Sequence, residues 1–192
     1  MTGIAAPTTL APLTSETADY PSELEADIVL ANRRVRIRPL RRDEEEPLRE
    51  LFDYLSPRTR YLRFLSPMPK LPDSIARTLA RVDYRRQLAL VAEYDNPIST
   101  EILGLASFGA LDDSRVEVGL VIRDDWQRQR LGTELADRLL SAAEARGFHQ
   151  FVANSSSDNV AIRKLVRGLG EIVSTKISGG MSEFTFVRCR TK

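Results

Sequence analysis

The sequence predicts an α/β domain built on one mixed sheet with helices on its faces. Three observations predict it. Val35 and Ile37 alternate with Arg34, Arg36 and Arg38, which gives a strand one apolar face. Apolar residues recur at helical spacing elsewhere, as Ile75, Leu79 and Val82 in SIARTLARV and as Leu131, Leu135, Leu139 and Ala142 in LGTELADRLLSAAEARG. The elements then follow as strand, helices, three strands, helix, strand, helix and two strands, an order that interleaves the two classes in one layer system. There is no internal repeat.

Residues 1–25 are rich in Thr, Ala, Pro and Ser and are expected to form a mobile tail, with the folded domain over 26–192 and order starting at Asp27. VLANRRVRIRPL reads as two short strands around Ala31-Asn32-Arg33. Asp43 opens the helical stretch DEEEPLRELFDYL, whose clustered acids suit the positive end of the helix dipole. Ser56-Pro57 breaks it, and PRTRYLRFL follows as a second helical piece. Asp73 or Ser74 is the expected cap of the third helix. QLALVAEY, EILGLASFGAL and RVEVGLVI are strands, separated by the turn clusters Asp95-Asn96-Pro97 and Asp112-Asp113-Ser114. The helix from Leu131 ends at Gly147, FHQFVAN is a buried strand, and Asp158 or Ser157 is expected to cap NVAIRKLVRGL. Gly170 stops that helix, and the last strands turn at Ser178-Gly179-Gly180.

Composition bounds the function. The chain has 192 residues, enough for one domain with a full core and a tail. Lys and Arg number 28 against 27 Asp and Glu, so there is no gross field to gather nucleic acid or a membrane surface. The arginines are spread along the chain and balanced by acids. The single cysteine, Cys189, and the single histidine, His149, rule out an internal disulfide or a His/Cys metal site, so no metal is expected. No apolar run is long enough to span a bilayer, and the N-terminal stretch carries no basic residue before Arg33, unlike a signal peptide. A cytoplasmic monomer or homodimer is expected.

The stretch RDDWQRQRLGTEL lies between the strand VEVGLVI and a helix. Amides at a helix start point outward unpaired and carry partial positive charge, so such a turn can cradle phosphates. The bland alternative is an ordinary helix N-terminus.

This element order and RDDWQRQRLGTEL together resemble the GNAT superfamily of acyl-CoA N-acyltransferases, whose signature [RQ]-x-x-G-x-[GA] is matched at Gln127 and Gly132, while Arg130 stands where glycine is preferred. The resemblance runs from about Val29 to Val187. It is narrower upstream. Ile37-Arg38-Pro39, the block Leu55 to Phe64, Val82-Asp83-Tyr84 and Ala89 to Ala92 look like the GNAT domain of bacterial protein-lysine acetyltransferases. Larger members of that group carry a nucleotide-sensing or acyl-CoA-synthetase-like domain, for which 192 residues leave no room.

The resemblance implies a single mixed, mostly antiparallel sheet flanked by helices and acetyl-CoA as co-substrate. Its pyrophosphate would meet the main chain of Gln127, Arg128, Gln129, Arg130, Leu131, Gly132 and Thr133. Arg130 matters if that position needs φ > 0, where a side chain is costly; it can instead add charge to a phosphate. Leu120, Val121 and Ile122 would run beside the pantetheine arm like an added strand, with one amide as an oxyanion donor. Their side chains also suit ordinary core. Glu117 falls where the protein-acetylating relatives place a glutamate base, and partial desolvation on an apolar strand would raise its pKa toward a useful range. The alternative is a surface glutamate. Asn159 matches an asparagine that contacts the cofactor arm, although a helix cap is an equal description of it. The tyrosine that many relatives use to protonate the leaving thiolate is replaced by Val166, and the aromatic that usually follows the terminal glycine is Glu171.

Tyr61 and Arg63 either wall the acceptor site or simply pack and pair, the structural role being favoured; Trp126 is expected to pack beside the loop, and His149 to lie at the surface or a strand edge. The favoured acceptor is a protein lysine; a small-molecule amine is the alternative, and a non-catalytic acetyl-CoA binder is a third reading. An enclosed acceptor pocket would favour the small amine and an open groove the protein.

Overall fold

The computed structural model describes residues 18–96 and 99–188. Eight strands form one sheet: β1 (Ala26–Leu30), β2 (Arg33–Pro39), β3 (Gln87–Asp95), β4 (Thr100–Ala110), β5 (Arg115–Ile122), β6 (Gln150–Ser156), β7 (Gly170–Ser178) and β8 (Met181–Arg188). Their order is β1-β2-β3-β4-β5-β6-β8-β7. Every neighbouring pair is antiparallel except β5 and β6. The helices are α1 (Glu45–Asp53), α2 (Pro57–Phe64), α3 (Asp73–Ala80), α4 (Leu131–Glu144) and α5 (Val160–Leu169).

Local chemistry sets these boundaries. Ala31 and Asn32 both have positive φ, 46° and 60°, as a two-residue hairpin turn requires. Gly179 and Gly180 do the same between β7 and β8, where they need no strain. Ser56 caps α2, its Oγ accepting from the Thr59 amide at 3.2 Å, with Pro57 at the first helical position. β3 is buried on both faces from Gln87 to Ala92, because α1 and α4 cover the sheet. Leu131, Leu135, Leu139 and Leu140 of α4 are at most 2% exposed. Each such leucine contributes roughly 1.5–3 kcal/mol of burial.

Three expectations need correction. The tail expected over 1–25 is shorter on its domain side: Ala18 donates to the Asp83 carbonyl at 3.1 Å, and Tyr20 meets Tyr84 edge-on with ring centroids 5.9 Å apart. Residues 1–17 lie outside the described residues. The cap of α5 is Asn159 rather than Asp158 or Ser157, its Oδ1 accepting from the Ile162 amide at 3.2 Å. Neither Asp73 nor Ser74 caps α3; Pro72 holds that position and Asp73 sits in the first turn.

The feature that positions the site is a parting of strands. β5 pairs with β6 from Arg115↔Gln150 to Val118↔Ala153 and no further. Beyond that point β6 continues beside β8. Gly119 to Ile122 keep their β4 partners, Ser107 to Gly104, but have no strand on the other edge.

Candidate active site

The loop between β5 and α4 is held by its side chains and leaves its amides free. A 3-10 turn over Asp124–Trp126 buries Trp126 against Tyr94 and under the Arg33 guanidinium. The Asp124 carboxylate accepts from the Ser56 amide, Ser56 Oγ and Thr59 Oγ1 at 2.9, 2.8 and 2.7 Å, which ties the loop to the start of α2. What burial it has works to raise its pKa, but these hydrogen bonds outweigh that and hold it below the usual carboxylate range. Gln127 Nε2 donates to the Ile122 carbonyl at 3.0 Å, and Gln129 Nε2 to the Asp125 carbonyl at 2.8 Å.

Arg128 and Arg130 have φ of 59° and 70°. Position 130 therefore does take the left-handed conformation that favours glycine, with an arginine in it. No acceptor among the described residues meets the backbone N–H of Arg128, Gln129, Arg130, Leu131, Gly132 or Thr133. α4 begins at Leu131 without a side-chain cap. Six neighbouring donors at a helix N-terminus make a phosphate cradle without help from side chains. At Gly132 an added Cβ would lie 3.4 Å from Leu120 and 3.5 Å from Ile122, so the cradle and the free edge of β5 adjoin.

A cavity of about 550 Å³ follows that edge inward. Its walls include Leu120 and Gly119 of β5, Ala136 and Leu140 of α4, Val166 of α5, and residues of α2 and α3. Glu117 is partly buried at this wall, and Asn154 of β6 donates from Nδ2 to its Oε1 at 2.9 Å. Arg63 of α2 reaches the same place. Its guanidinium lies against Gly119 so closely that a Cβ there would be 2.5 Å from Nη2.

The expected residues thus gather around one opening, with one exception. Glu117, Leu120 and Gly132 surround the free edge, and Val121 and Ile122 contribute to it through their backbones while their side chains are buried. Asn159 does not line the cavity, and its oxygen is spent on capping. Val166 is buried in the wall, Glu171 is exposed, and none of the five tyrosines lines the cavity. His149 is exposed as expected, and Cys189 lies outside the described residues. The sequence reading missed Asn154, whose approach to Glu117 depends on the β5–β6 register. For Arg63 it favoured packing and pairing over a place in the acceptor wall, and Arg63 does line the cavity. Among the described residues no group of three or more His, Cys, Asp or Glu side chains could hold a metal.

Residues 34–171 match the family model described as an acetyltransferase (GNAT) domain. The chain belongs to the GNAT acetyltransferase family. An acetyltransferase of Pseudomonas aeruginosa is 32% identical over 139 residues, 72% of this chain and 75% of that protein. An L-methionine sulfoximine/L-methionine sulfone acetyltransferase of the same species is 32% identical over 58% of this chain and 66% of its own length. In fold, the chain is similar to the GNAT domain of S. lividans PAT, with a TM-score of 0.77 at 23% identity over 88% of this chain and 99% of that one. It is also similar to a Salmonella typhimurium structure described as a putative acetyltransferase with its cofactor acetyl-CoA. There the TM-score is 0.62 at 19% identity, covering 79% and 91% of the two chains. This GNAT chain is an acetyl-CoA-dependent N-acetyltransferase.

Proposed function

We propose that this GNAT enzyme acetylates the primary amine of a small molecule by direct attack in a ternary complex, with Glu117 as general base. The observation that carries this reading is the shared cavity. Glu117 and the free edge of β5 open into one concave space of about 550 Å³, lined also by Arg63, Phe64, Met68, Ile75 and Leu79. A concave, mainly apolar space of that size suits a small amine.

Acetyl-CoA supplies an acyl carbon activated as a thioester. The residues present fit it. The amides of 128–133 receive the pyrophosphate, with Gln127 holding the loop and Thr133 adding a hydroxyl. The backbone of Leu120, Val121 and Ile122 pairs with the pantetheine arm, and one of these amides donates to the acyl oxygen as charge develops on it. Asn159 caps α5 with its oxygen. Glu117, oriented by Asn154, takes a proton from the acceptor ammonium, directly or through water. The neutral amine then forms the N–C bond as the C–S bond breaks, and the second proton that the nitrogen sheds in becoming an amide passes to water. No tyrosine lies in the cavity wall to protonate the thiolate, so CoA leaves as the thiolate, a tolerable leaving group.

A protein lysine is the second reading, favoured by the likeness of the YLRF block to protein-lysine acetyltransferases. A test that separates the two measures CoA release with a panel of small primary amines and with lysine-containing peptides. Turnover confined to the peptides would defeat the first reading; turnover on small amines with kcat/KM well above that of any peptide would support it.

A further inference from the structure

Arg63 is a partly buried cation that the folded chain leaves without a counter-ion. Elsewhere this fold pairs the guanidinium groups it takes out of water. Arg38 is held by Glu44 at 2.8 and 2.9 Å and by Glu93. Arg123 is held by Asp125 and Glu101. Arg146, also drawn into the interior, donates to the carbonyls of Tyr84 and Ala142, both at 2.7 Å. Arg63 has none of this. Its Nε is wholly out of solvent and meets no acceptor, and its Nη2 reaches Ser107 Oγ at 3.5 Å, the limit of a hydrogen bond. The ring of Phe64 lies 5.2 Å from its Cζ. Burial pushes the guanidinium pKa down, opposed by the charge of Glu117.

Its position is specific. The guanidinium lies flat on the backbone of Gly119, with Nη2, Cζ and Nη1 at 2.5, 2.7 and 2.9 Å from where a Cβ would be. Glu117 is two residues back along the same strand, hence on the same face and about 7 Å away between Cα atoms. Among the described residues that line the cavity, Arg63 is the single cation. A desolvated guanidinium left open on one side is a fork for a carboxylate, which it binds through two parallel hydrogen bonds.

Resting on the small-amine reading above, we infer that Arg63 is the receptor for a carboxylate carried by the acceptor, so that the substrate class is an amino acid. The carboxylate would meet Arg63 while the neighbouring amine faces Glu117. An amino acid, with both groups on one carbon, spans the gap between the Glu117 carboxylate and a guanidinium seated over Gly119, two residues further along the same strand. A lysine side chain in a protein carries no carboxylate beside its amine.

The test pairs each of a panel of free amino acids, L-methionine sulfone included, with the amine made by removing its carboxyl group. Turnover of each pair is followed by CoA release, and acetyl-CoA binding is measured by calorimetry for the wild type and for Arg63→Met and Arg63→Lys. The wild type should prefer the best acid over its amine by about 100-fold in kcat/KM, since a site built for a polar group rejects the analogue that lacks it. Arg63→Met should collapse that ratio to within about threefold by raising KM for the acid, and Arg63→Lys should restore part of it. A merely structural arginine would lower both members of a pair equally and leave the ratio intact, which overturns the inference. So would a wild type that turns over amines or peptides but not acids, while leaving acetyl transfer itself standing. Acetyl-CoA binding without turnover of any acceptor would sink the transferase mechanism proposed above, and the role of Arg63 with it.

Discussion

Asn154 Nδ2 donates to Glu117 Oε1 at 2.9 Å, at the point where β5 and β6 stop pairing. The two residues lie 37 apart in sequence, and the bond fixes the direction of a carboxylate at the mouth of the strand opening. Asn154→Ala should lower kcat by about tenfold, because it frees the base from its working orientation. Acetyl-CoA affinity, which depends on the loop and the β5 edge, should stay within a factor of about three. Steady-state kinetics beside calorimetry checks both. Equal losses in binding and turnover would mean that Asn154 supports the fold rather than the base.

Arg130 occupies a left-handed position, φ 70°, that glycine adopts without cost. Replacing it with glycine removes that strain, of about 1–2 kcal/mol, but adds unfolded-state entropy. Arg130→Gly should therefore stabilise the protein by roughly 0.5–1 kcal/mol in urea denaturation. Acetyl-CoA binding should persist in both proteins, since the cradle is made of main-chain N–H groups. Lost stability in the glycine variant would show that the arginine side chain contributes more than its backbone conformation costs.

Asp124 bolts the loop to Ser56 and Thr59, and its carboxyl titrates below the ordinary value in the folded chain. A depressed carboxylate contributes stability that is present above its unfolded pKa, near 4, and is lost as pH falls through the folded value. Asp124→Asn should cost roughly 1 kcal/mol at pH 7. The gap between wild type and variant should close as pH falls below about 4, which thermal melts across that range would show. A gap that stays constant with pH would contradict the role given to the ionised carboxylate.

The fold was largely legible in the sequence because its signals are local. Alternation in RVRIR gave β2, helical spacing gave α4, and Gly179-Gly180 gave the last hairpin. What escaped depends on contacts between distant residues. The docking of Ala18 and Tyr20 rests on Asp83 and Tyr84, more than sixty residues away, and a Pro- and Thr-rich segment gives no sign of it. Asn159 was legible by likeness as a cofactor contact, yet its oxygen caps α5, as a local reading of asparagine before a helix would have it. Glu117 was placed by likeness to the glutamate that protein-acetylating relatives carry in the strand before the loop. Arg63 could not be weighed the same way, because only its neighbours Gly119 and Ser107 reveal that it lacks a counter-ion.

Glu117→Gln tests the mechanism most directly. The variant keeps the shape and the Asn154 contact but cannot accept a proton. Calorimetry with acetyl-CoA should give a Kd within about threefold of wild type, while kcat on the best acceptor falls by roughly 100- to 10,000-fold, the usual worth of a general base. Wild-type turnover in Glu117→Gln, with binding intact, would contradict the assignment of Glu117 as the base.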